Sequence, residues 1–242
     1  MISIKYLNLW TEQKIAPDLV SYLEKKVPVP IRLARPELSR RIITRPDFLK
    51  QLAACRLINH QQSEPLNPYK IELEQEKKFL QENRLPPFVY EANWLANFYQ
   101  SLVSPGLPRP AIVLTNRRIA TFGDDGRYHL RYALYGYVTI ISLSGIEQAP
   151  ARSQKYYQLK LLDPLLAKKL SNDQLTKKEF YQTVANLFWQ ALFYYFTGNP
   201  FCENKNCLLY NFHWYRELKN ILQKNKLCPN HQRLAKKFFA GK

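Results

Sequence analysis

The order of apolar and polar residues predicts that the chain begins with short strands and a helix in alternation. Ile2 to Leu9 roughly alternates apolar and polar side chains, which is typical of a strand. A helix is predicted from Pro17 to about Lys26, because proline is well placed in a first helical turn. A short strand from Val29 to Leu33 follows it. This β-α-β order indicates a mixed α/β fold.

Three further helices are predicted before residue 103. The first begins near Thr44 and carries apolar residues at helical spacing as far as Leu57. The second covers Glu72 to Asn83, and the third covers Asn93 to Leu102. The polar, turn-rich stretch from 60 to 69 is predicted to be a loop, and the proline-rich stretch from 104 to 110 a connector.

The middle of the chain favours strands. Ala111 to Thr115 is short and mostly apolar, and Asp124-Asp125-Gly126 predicts a hairpin turn because Asp-Gly tolerates positive φ. Arg131 to Ser144 and Tyr156 to Leu162 are rich in residues that favour strands. Together with the first strands, these segments predict a mixed, twisted sheet.

One long helix is predicted from Lys177 to Phe196. Its second half is apolar nearly all round, which is typical of a helix buried through a domain centre. Gly198 follows it as an expected C-cap. Two short basic helices are predicted after it, from His213 to Gln223 and from Asn230 to Phe239.

A set of metal-ligand residues follows the long helix. Cys202, Cys207, Cys228 and His231 form a C-x4-C…C-x2-H pattern that holds three of the four cysteines of the chain. Thiolate and imidazole are ligands that Zn²⁺ prefers, and four of them make a closed structural site. The spacing therefore predicts one structural zinc ion. Buried reduced cysteines or a disulfide are the alternatives, and His213 competes with His231 as the fourth ligand.

The charge of the chain broadens the range of partners. The net charge is +17, and the excess is greatest at the C-terminus. From residue 215 onward Glu217 is opposed by many basic residues: Arg216, Lys219, Lys224, Lys226, Arg233, Lys236, Lys237 and Lys242. A second basic cluster consists of Arg32, Arg35, Arg40, Arg41 and Arg45. Such surfaces attract nucleic acid or acidic partners, although a solvated lysine-rich surface is an equally good interpretation.

Hydropathy limits the class of protein. A hydrophobic content of 46% supports a folded core, and no run of eighteen apolar residues predicts a membrane span. The N-terminus lacks the layout of a signal peptide, so we expect a cytoplasmic protein. Thiols stay reduced in the cytoplasm, which favours a metal over a disulfide.

Several other residues could carry chemistry, but ordinary structural roles explain them. Asp124 and Asp125 lie in a turn signal, and His129 has no partner at short spacing. Cys55 is expected to be a small buried hydrophobe. No glycine-rich phosphate-binding loop is present. Some aromatic residues lie among basic ones and serve either as local core or as a base-stacking surface: Trp214, Tyr215, Phe238 and Phe239.

The cysteine pattern and two central segments resemble the archaemetzincin-like zinc metallopeptidases. In that group HExxHxxGxxHC is followed by a second cysteine and then by CxxC. With Cys202 as the anchor, Gly198 falls on the glycine, Cys207 and Cys228 on later cysteines, and His231 on the last one. LTNRRIATFGDDGRYHLR and ISLSGIEQAPARSQKYY are similar to the strand regions of uncharacterised members. The resemblance implies a metzincin-like α+β fold over one domain, residues 1–242.

This resemblance implies three regions: an N-terminal α/β part (1–110), central strands with the former active-site helix (111–200), and a zinc-binding basic lobe (201–242). The catalytic positions depart from the family, with Ala191 and Leu192 in place of the first histidine and the glutamate. Tyr195 and Phe201 replace the other two histidines. A catalytic zinc needs three protein ligands and a carboxylate base, which these residues do not supply.

The expected function is therefore a catalytically inactive, metallopeptidase-like subunit that binds a protein or ribonucleoprotein partner. Two alternatives remain. One is a nucleic-acid-binding subunit that uses the basic C-terminal lobe. The other is an active zinc metallopeptidase with relocated catalytic residues, although the sequence shows no cluster of acid and base groups for it.

Overall fold

The computed structural model describes residues 4–12, 15–33, 46–82, 84–102, 110–163, 165, 167 and 174–239. The chain forms two compact units, Met1–Gly145 and Ile146–Lys242. The prediction of a single domain stays a prediction. Of the basic cluster predicted from 32 to 45, only Arg32 belongs to the described residues, and the start near Thr44 and the connector 104–109 lie outside them.

The described strands are β1 (Leu7–Thr11), β2 (Ile31–Leu33), β3 (Val89–Glu91), β4 (Ala111–Thr115), β5 (Arg118–Phe122), β6 (Tyr128–Arg131), β7 (Ala133–Leu134) and β8 (Val138–Ser142). The helices are α1 (Pro17–Lys26), α2 (Pro46–Ala54), α3 (Lys70–Glu82), α4 (Ala92–Leu102), α5 (Leu143–Gln148), α6 (Gln154–Leu162), α7 (Lys177–Thr197), α8 (Tyr215–Lys224) and α9 (Pro229–Phe239). The predicted mixed α/β class is confirmed.

Two sheets organise the first unit. The larger has the strand order β2-β1-β4-β8-β7 and is parallel except for its last pair. The smaller has the order β3-β5-β6, in which β3 runs parallel and β6 antiparallel to β5. The central strands β4 and β8 are buried at every position. Their sequences are therefore mostly continuous apolar runs, without an alternation of apolar and polar residues. The core of this unit includes Leu52, Tyr90, Leu95, Ile119 and Ile140.

The long helix α7 forms where the sequence predicts it. Thr176 caps its start: the Thr176 hydroxyl accepts the backbone N–H of Glu179, and the Glu179 carboxylate accepts that of Thr176. Gly198 ends the helix with a φ of 72°, a conformation that suits glycine. Twelve residues of α7 are buried, so the prediction of a buried helix is confirmed.

Buried amide groups join α7 to the segments that follow it. The Gln182 amide donates to the Leu222 carbonyl at 2.7 Å, and the Gln190 amide donates to the Tyr210 carbonyl at 3.3 Å. Since these glutamines are eight residues apart, they lie on one face of the helix. This polar face positions α8 and the loop that carries Cys207.

The strand prediction for Tyr156 to Leu162 is wrong, because the structure has helix α6 there. The Ser153 hydroxyl accepts the backbone N–H of Tyr156 at 3.3 Å and caps the helix. None of the α6 side chains is buried, so no sheet face selects the extended form that Tyr and Leu would favour.

The long β run predicted from Arg131 to Ser144 is also shorter than expected. It contains β7 and β8 but ends at Ser142, whose hydroxyl accepts the backbone N–H of Gly145 at 2.8 Å and starts α5. A Cβ on Gly145 would lie 2.3 Å from the Arg131 carbonyl oxygen. This close approach, and not a strand break, explains the glycine.

Candidate metal centre

The first two cysteines lie in a folded loop between α7 and α8. The Cys202 backbone N–H donates to the Leu209 carbonyl at 3.0 Å, and Cys202 forms a parallel bridge with Tyr210. A turn brings Cys207 back toward Cys202, because the Cys207 N–H donates to the Asn204 carbonyl at 2.9 Å. The Asn204 side chain accepts the Asn206 N–H, as asparagine often does in turns. The loop thus presents both thiols to one point.

The second pair of ligand residues lies at the start of α9. The Leu208 N–H donates to the Lys226 carbonyl at 2.9 Å, which holds this segment beside the cysteine loop. Cys228 directly precedes Pro229, the first residue of α9, and its carbonyl accepts the Gln232 N–H. His231 is in the first turn of α9. It lies three positions after Cys228, so the two side chains point to the same side.

The four ligand atoms lie within 4.8 Å of one another. The Cys202 and Cys228 sulfurs are 3.9 Å apart, and the His231 Nδ1 is 3.9 Å from the Cys207 sulfur and 3.1 Å from the Cys228 sulfur. A tetrahedral zinc with ordinary bond lengths would place sulfur atoms about 3.8 Å apart and sulfur and nitrogen about 3.6 Å apart. The cluster is therefore compatible with a zinc ion.

Backbone donors surround the sulfurs. The Asn204 N–H points at the Cys202 sulfur and the Cys228 N–H at the Cys207 sulfur, both at 3.4 Å. Burial raises the pKa of the Cys207 thiol to about 12 and also raises the pKa of Cys202. Burial acts in the same direction at Cys228, but hydrogen bonds with the His231 backbone and the neighbouring thiols lower its pKa overall. Binding of a metal must therefore displace protons from thiols.

Aromatic rings orient the imidazole of His231. Its ring lies edge-on to Phe193 of α7, with centroids 5.1 Å apart and planes at 81°. Phe238 of α9 packs against both Phe193 and Phe196. Burial lowers the pKa of His231, which favours the neutral imidazole that a metal needs. These rings are the local core that supports the cluster.

The structure brings His231, and not His213, to the three cysteines. The His213 side chain is exposed, and its backbone N–H donates to the Glu217 carboxylate at 2.9 Å. Within the described ranges, the Cys3His cluster is the one group of three or more side chains suited to a metal.

The positions that match the catalytic motif hold no metal ligand. Ala191 and Leu192 are buried in α7. Tyr195 and Phe201 are half-buried, and the Tyr195 ring packs against Phe196 with centroids 5.5 Å apart. These four side chains lack a carboxylate, an imidazole or a thiol.

The other candidate residues occupy structural positions. Asp125 and His129 form an exposed contact of 2.8 Å across the β5–β6 hairpin, where Gly126 has a φ of 74° as the turn signal predicts. Cys55 is buried, its thiol donates to the Gln51 carbonyl, and burial raises its pKa to about 12. This is the expected setting of a structural cysteine.

Sequence reasoning missed a buried ion network in the first unit. Arg117 contacts Glu12 at 2.9 Å and Glu76 at 2.8 Å, and Arg56 contacts Glu76 at 2.7 Å. Tyr90 donates to Glu76 and Tyr99 donates to Glu12. No local pattern could have revealed it, since its members come from distant segments: the residues that follow β1, α2 and β4, together with α3, β3 and α4.

The network is balanced in charge and saturated with hydrogen bonds. Glu76 is fully buried; burial would raise its pKa, but Arg117 and Arg56 lower it overall. Burial of the Tyr90 hydroxyl beside Glu76 raises the pKa of that phenol. The Glu76 carboxylate is thus shared by the Arg117 and Arg56 side chains inside the first unit. A saturated arrangement of this kind indicates a structural role.

Comparison with known proteins shows the family of the chain. A family described as "Probable metallopeptidase family (DUF6775)" matches residues 5–238, so the chain belongs to that family. The resemblance noted from the sequence is confirmed at this level.

Among solved structures, the chain is similar to the archaemetzincin of Methanopyrus kandleri, with 13% identity and a TM-score of 0.48. That similarity covers 97% of this chain and 95% of the other. No curated protein matches the chain. Within the ranges described, no helix is long and apolar enough to cross a membrane.

Proposed function

We propose that the chain is a catalytically inactive member of its family, which binds one structural zinc ion and acts as a binding or scaffold subunit. The observation that carries the proposal is the arrangement of Cys202, Cys207, Cys228 and His231, whose ligand atoms lie within 4.8 Å of one another. Four protein ligands leave no open position for a water molecule, and catalytic zinc sites keep one. An ion held here would cross-link the Cys202 loop to the start of α9.

Loss of catalysis is inferred from the residues at the motif positions. Hydrolysis of a peptide by zinc needs a carboxylate or a similar base to take a proton from the bound water. The glutamate position holds Leu192 and the first histidine position holds Ala191, both buried. Neither side chain can bind the ion or move a proton.

Metal content of the purified, reduced protein tests the structural part of the proposal. We expect about one zinc per chain, as one closed site predicts. Cys207→Ser should lose the metal, whereas Cys55→Ser should keep it, because Cys55 lies in the other unit. Two zinc ions per chain, or equal zinc in the Cys207 variant, would contradict the assignment.

A peptide-library assay tests the catalytic part. We expect no turnover by the zinc-loaded protein. Hydrolysis that a chelator inhibits would show an active zinc metallopeptidase, and hydrolysis that a chelator does not inhibit would show relocated catalytic residues. Either result would reject the inactive assignment while leaving the zinc assignment to be decided by metal content.

A further inference from the structure

The proposed scaffold function does not specify the partner. A surface in the second unit indicates which class of molecule that partner belongs to. Two backbone segments meet there. The Ala151 N–H donates to the His213 carbonyl at 2.8 Å, and the Tyr215 N–H donates to the Ala151 carbonyl at 2.9 Å. This parallel bridge fixes Trp214 beside the segment that enters α6. The exposed side chains of these two segments therefore have defined positions.

The Trp214 ring is 52% exposed although the residues on either side of it are anchored. Its backbone N–H donates to the Glu217 carboxylate, and the next residue, Tyr215, is buried. Of the aromatic residues that lie among basic ones in the sequence, Phe238 and Phe239 pack into the ring cluster of α7. Of those four aromatic residues, Trp214 is therefore the one whose side chain is exposed.

A second exposed ring lies close to the first. The Tyr157 side chain is 47% exposed, and its hydroxyl accepts the backbone N–H of Arg152 at 3.3 Å. Arg152 directly follows Ala151, the bridge partner of Trp214. The Arg152 guanidinium lies 4.6 Å from the Tyr156 ring centroid and 4.8 Å from that of Tyr215, which joins the two segments.

Exposed cations accompany the two rings. Lys160 lies three positions after Tyr157 on α6, on the same side of the helix, and Arg216 lies two positions after Trp214. Both are exposed, and neither has an ion pair with another residue in the described part of the chain. Glu217, three positions after Trp214, already accepts the backbone N–H groups of His213 and Trp214. The surface therefore combines exposed aromatic rings with cations that have no acidic partner among the described residues.

We propose that Trp214, Tyr157, Lys160 and Arg216 form a docking surface for single-stranded nucleic acid. Aromatic rings interleaved with cations bind the bases and phosphates of single strands with little sequence preference. The net charge of +17 supports association with a polyanion. The proposal does not depend on the absence of catalysis.

An anionic lipid surface is the competing occupant, since α6 also exposes Leu161 and Leu162. The helix does not suit that role. Its apolar and polar residues do not separate into two faces, because Lys155, Gln158 and Lys160 lie between Tyr and Leu residues around the helix. Helices that lie in a membrane surface need such a separation.

Fluorescence anisotropy of the full, zinc-loaded chain with labelled oligo(dT) and oligo(U) of about a dozen nucleotides tests the proposal. We expect binding that weakens steeply with salt, because phosphate contacts release counterions. Trp214→Ala should weaken binding about tenfold, and Trp214→Phe should retain most of it. Changing Lys160 and Arg216 to Gln should reduce the salt slope by about two, roughly one per lost phosphate contact.

Tyr69→Ala is the matched control, because Tyr69 is 77% exposed but lies in the first unit. It should bind like the unaltered chain. Unchanged zinc content and circular dichroism of Trp214→Ala would show that this variant is folded.

Four outcomes would overturn the proposal. They are no binding by the unaltered chain, equal binding by a folded Trp214→Ala variant, binding of a duplex as tight as that of single strands, and binding of phosphatidylserine vesicles in place of the oligonucleotides. None of these outcomes changes the zinc content or the peptidase result, so the two proposals fail separately.

Discussion

Each unit contains a polar cluster, and the clusters differ in how far apart their members lie in the sequence. The Cys3His cluster of the second unit spans Cys202 to His231. In the first unit, Arg117 meets Glu12 across 105 positions and Glu76 across 41. A closely spaced cluster can be recognised from sequence, whereas a dispersed one depends on the whole fold.

The clusters also differ in the physical origin of their stabilisation. A metal site gains its free energy from ligands that are not assembled in the unfolded chain. A buried ion network gains attraction but loses hydration, so its net contribution is small, while removal of one partner leaves a charge unpaired. We therefore expect metal removal to lower the stability of the second unit strongly. Single-residue changes in the network should lower the stability of the first unit only where they leave a buried charge unpaired.

Removal of zinc is expected to have the largest effect. Structural zinc sites in small peptides contribute about 10 kcal/mol or more, comparable to the total stability of a domain. Chelation, or His231→Ala, should therefore lower the melting temperature of the second unit sharply or abolish its cooperative unfolding. Calorimetry with and without chelator measures this. Cys55→Ala is the control: its melting temperature should still fall on chelation. Identical melting curves with and without chelator would show that a metal does not stabilise the second unit.

Glu76→Gln tests the first unit. The change leaves Arg56 and Arg117 without their shared carboxylate, and loss of one partner from a buried ion pair costs about 3–5 kcal/mol. Denaturant unfolding should show this decrease in the free energy of unfolding. Glu74→Gln, at an exposed position of the same helix, should change it by less than about 0.5 kcal/mol. A similar loss in both variants would mean that burial of the network is unimportant.

Acid should weaken the first unit through the same carboxyl group. The guanidinium groups hold the pKa of Glu76 below its ordinary value of 4.5 despite burial. The unfolded chain then binds more protons than the folded chain in the acid range, so this stabilisation is full above about pH 4.5 and is lost as pH falls through the folded pKa. Unfolding free energies across that range should fall less steeply for Glu76→Gln than for the unaltered chain. Parallel curves would exclude Glu76 as a source of acid sensitivity.

Gln190→Ala is expected to give the smallest of these effects, about 1 kcal/mol, because it removes the donor to the half-buried Tyr210 carbonyl. This variant tests whether hydrogen bonds as well as zinc stabilise the second unit. Gln158→Ala, at an exposed position of helix α6, should cost almost nothing. If Gln190→Ala retains full stability in zinc-loaded protein, the metal alone accounts for the attachment of this loop.

The sequence by itself determined the features that depend on neighbouring residues. The bounds of α7 follow from a cap at Thr176, a stretch of helix-forming apolar residues and a glycine at 198. The meeting of Cys228 and His231 follows from their short spacing, because a single tight turn brings both side chains to one place. Such signals are local, so no knowledge of the fold is needed to read them.

Tertiary structure decided the features that depend on distant partners. It made α6 a helix by giving its Tyr and Leu residues no sheet to join, and it brought Glu12, Glu76 and Arg117 together from distant segments. It also buried Tyr215 while exposing Trp214, two adjacent aromatic residues that are indistinguishable by pattern. Burial and ion pairing are set by which surfaces meet in three dimensions, and a sequence pattern records only what lies one or two turns away.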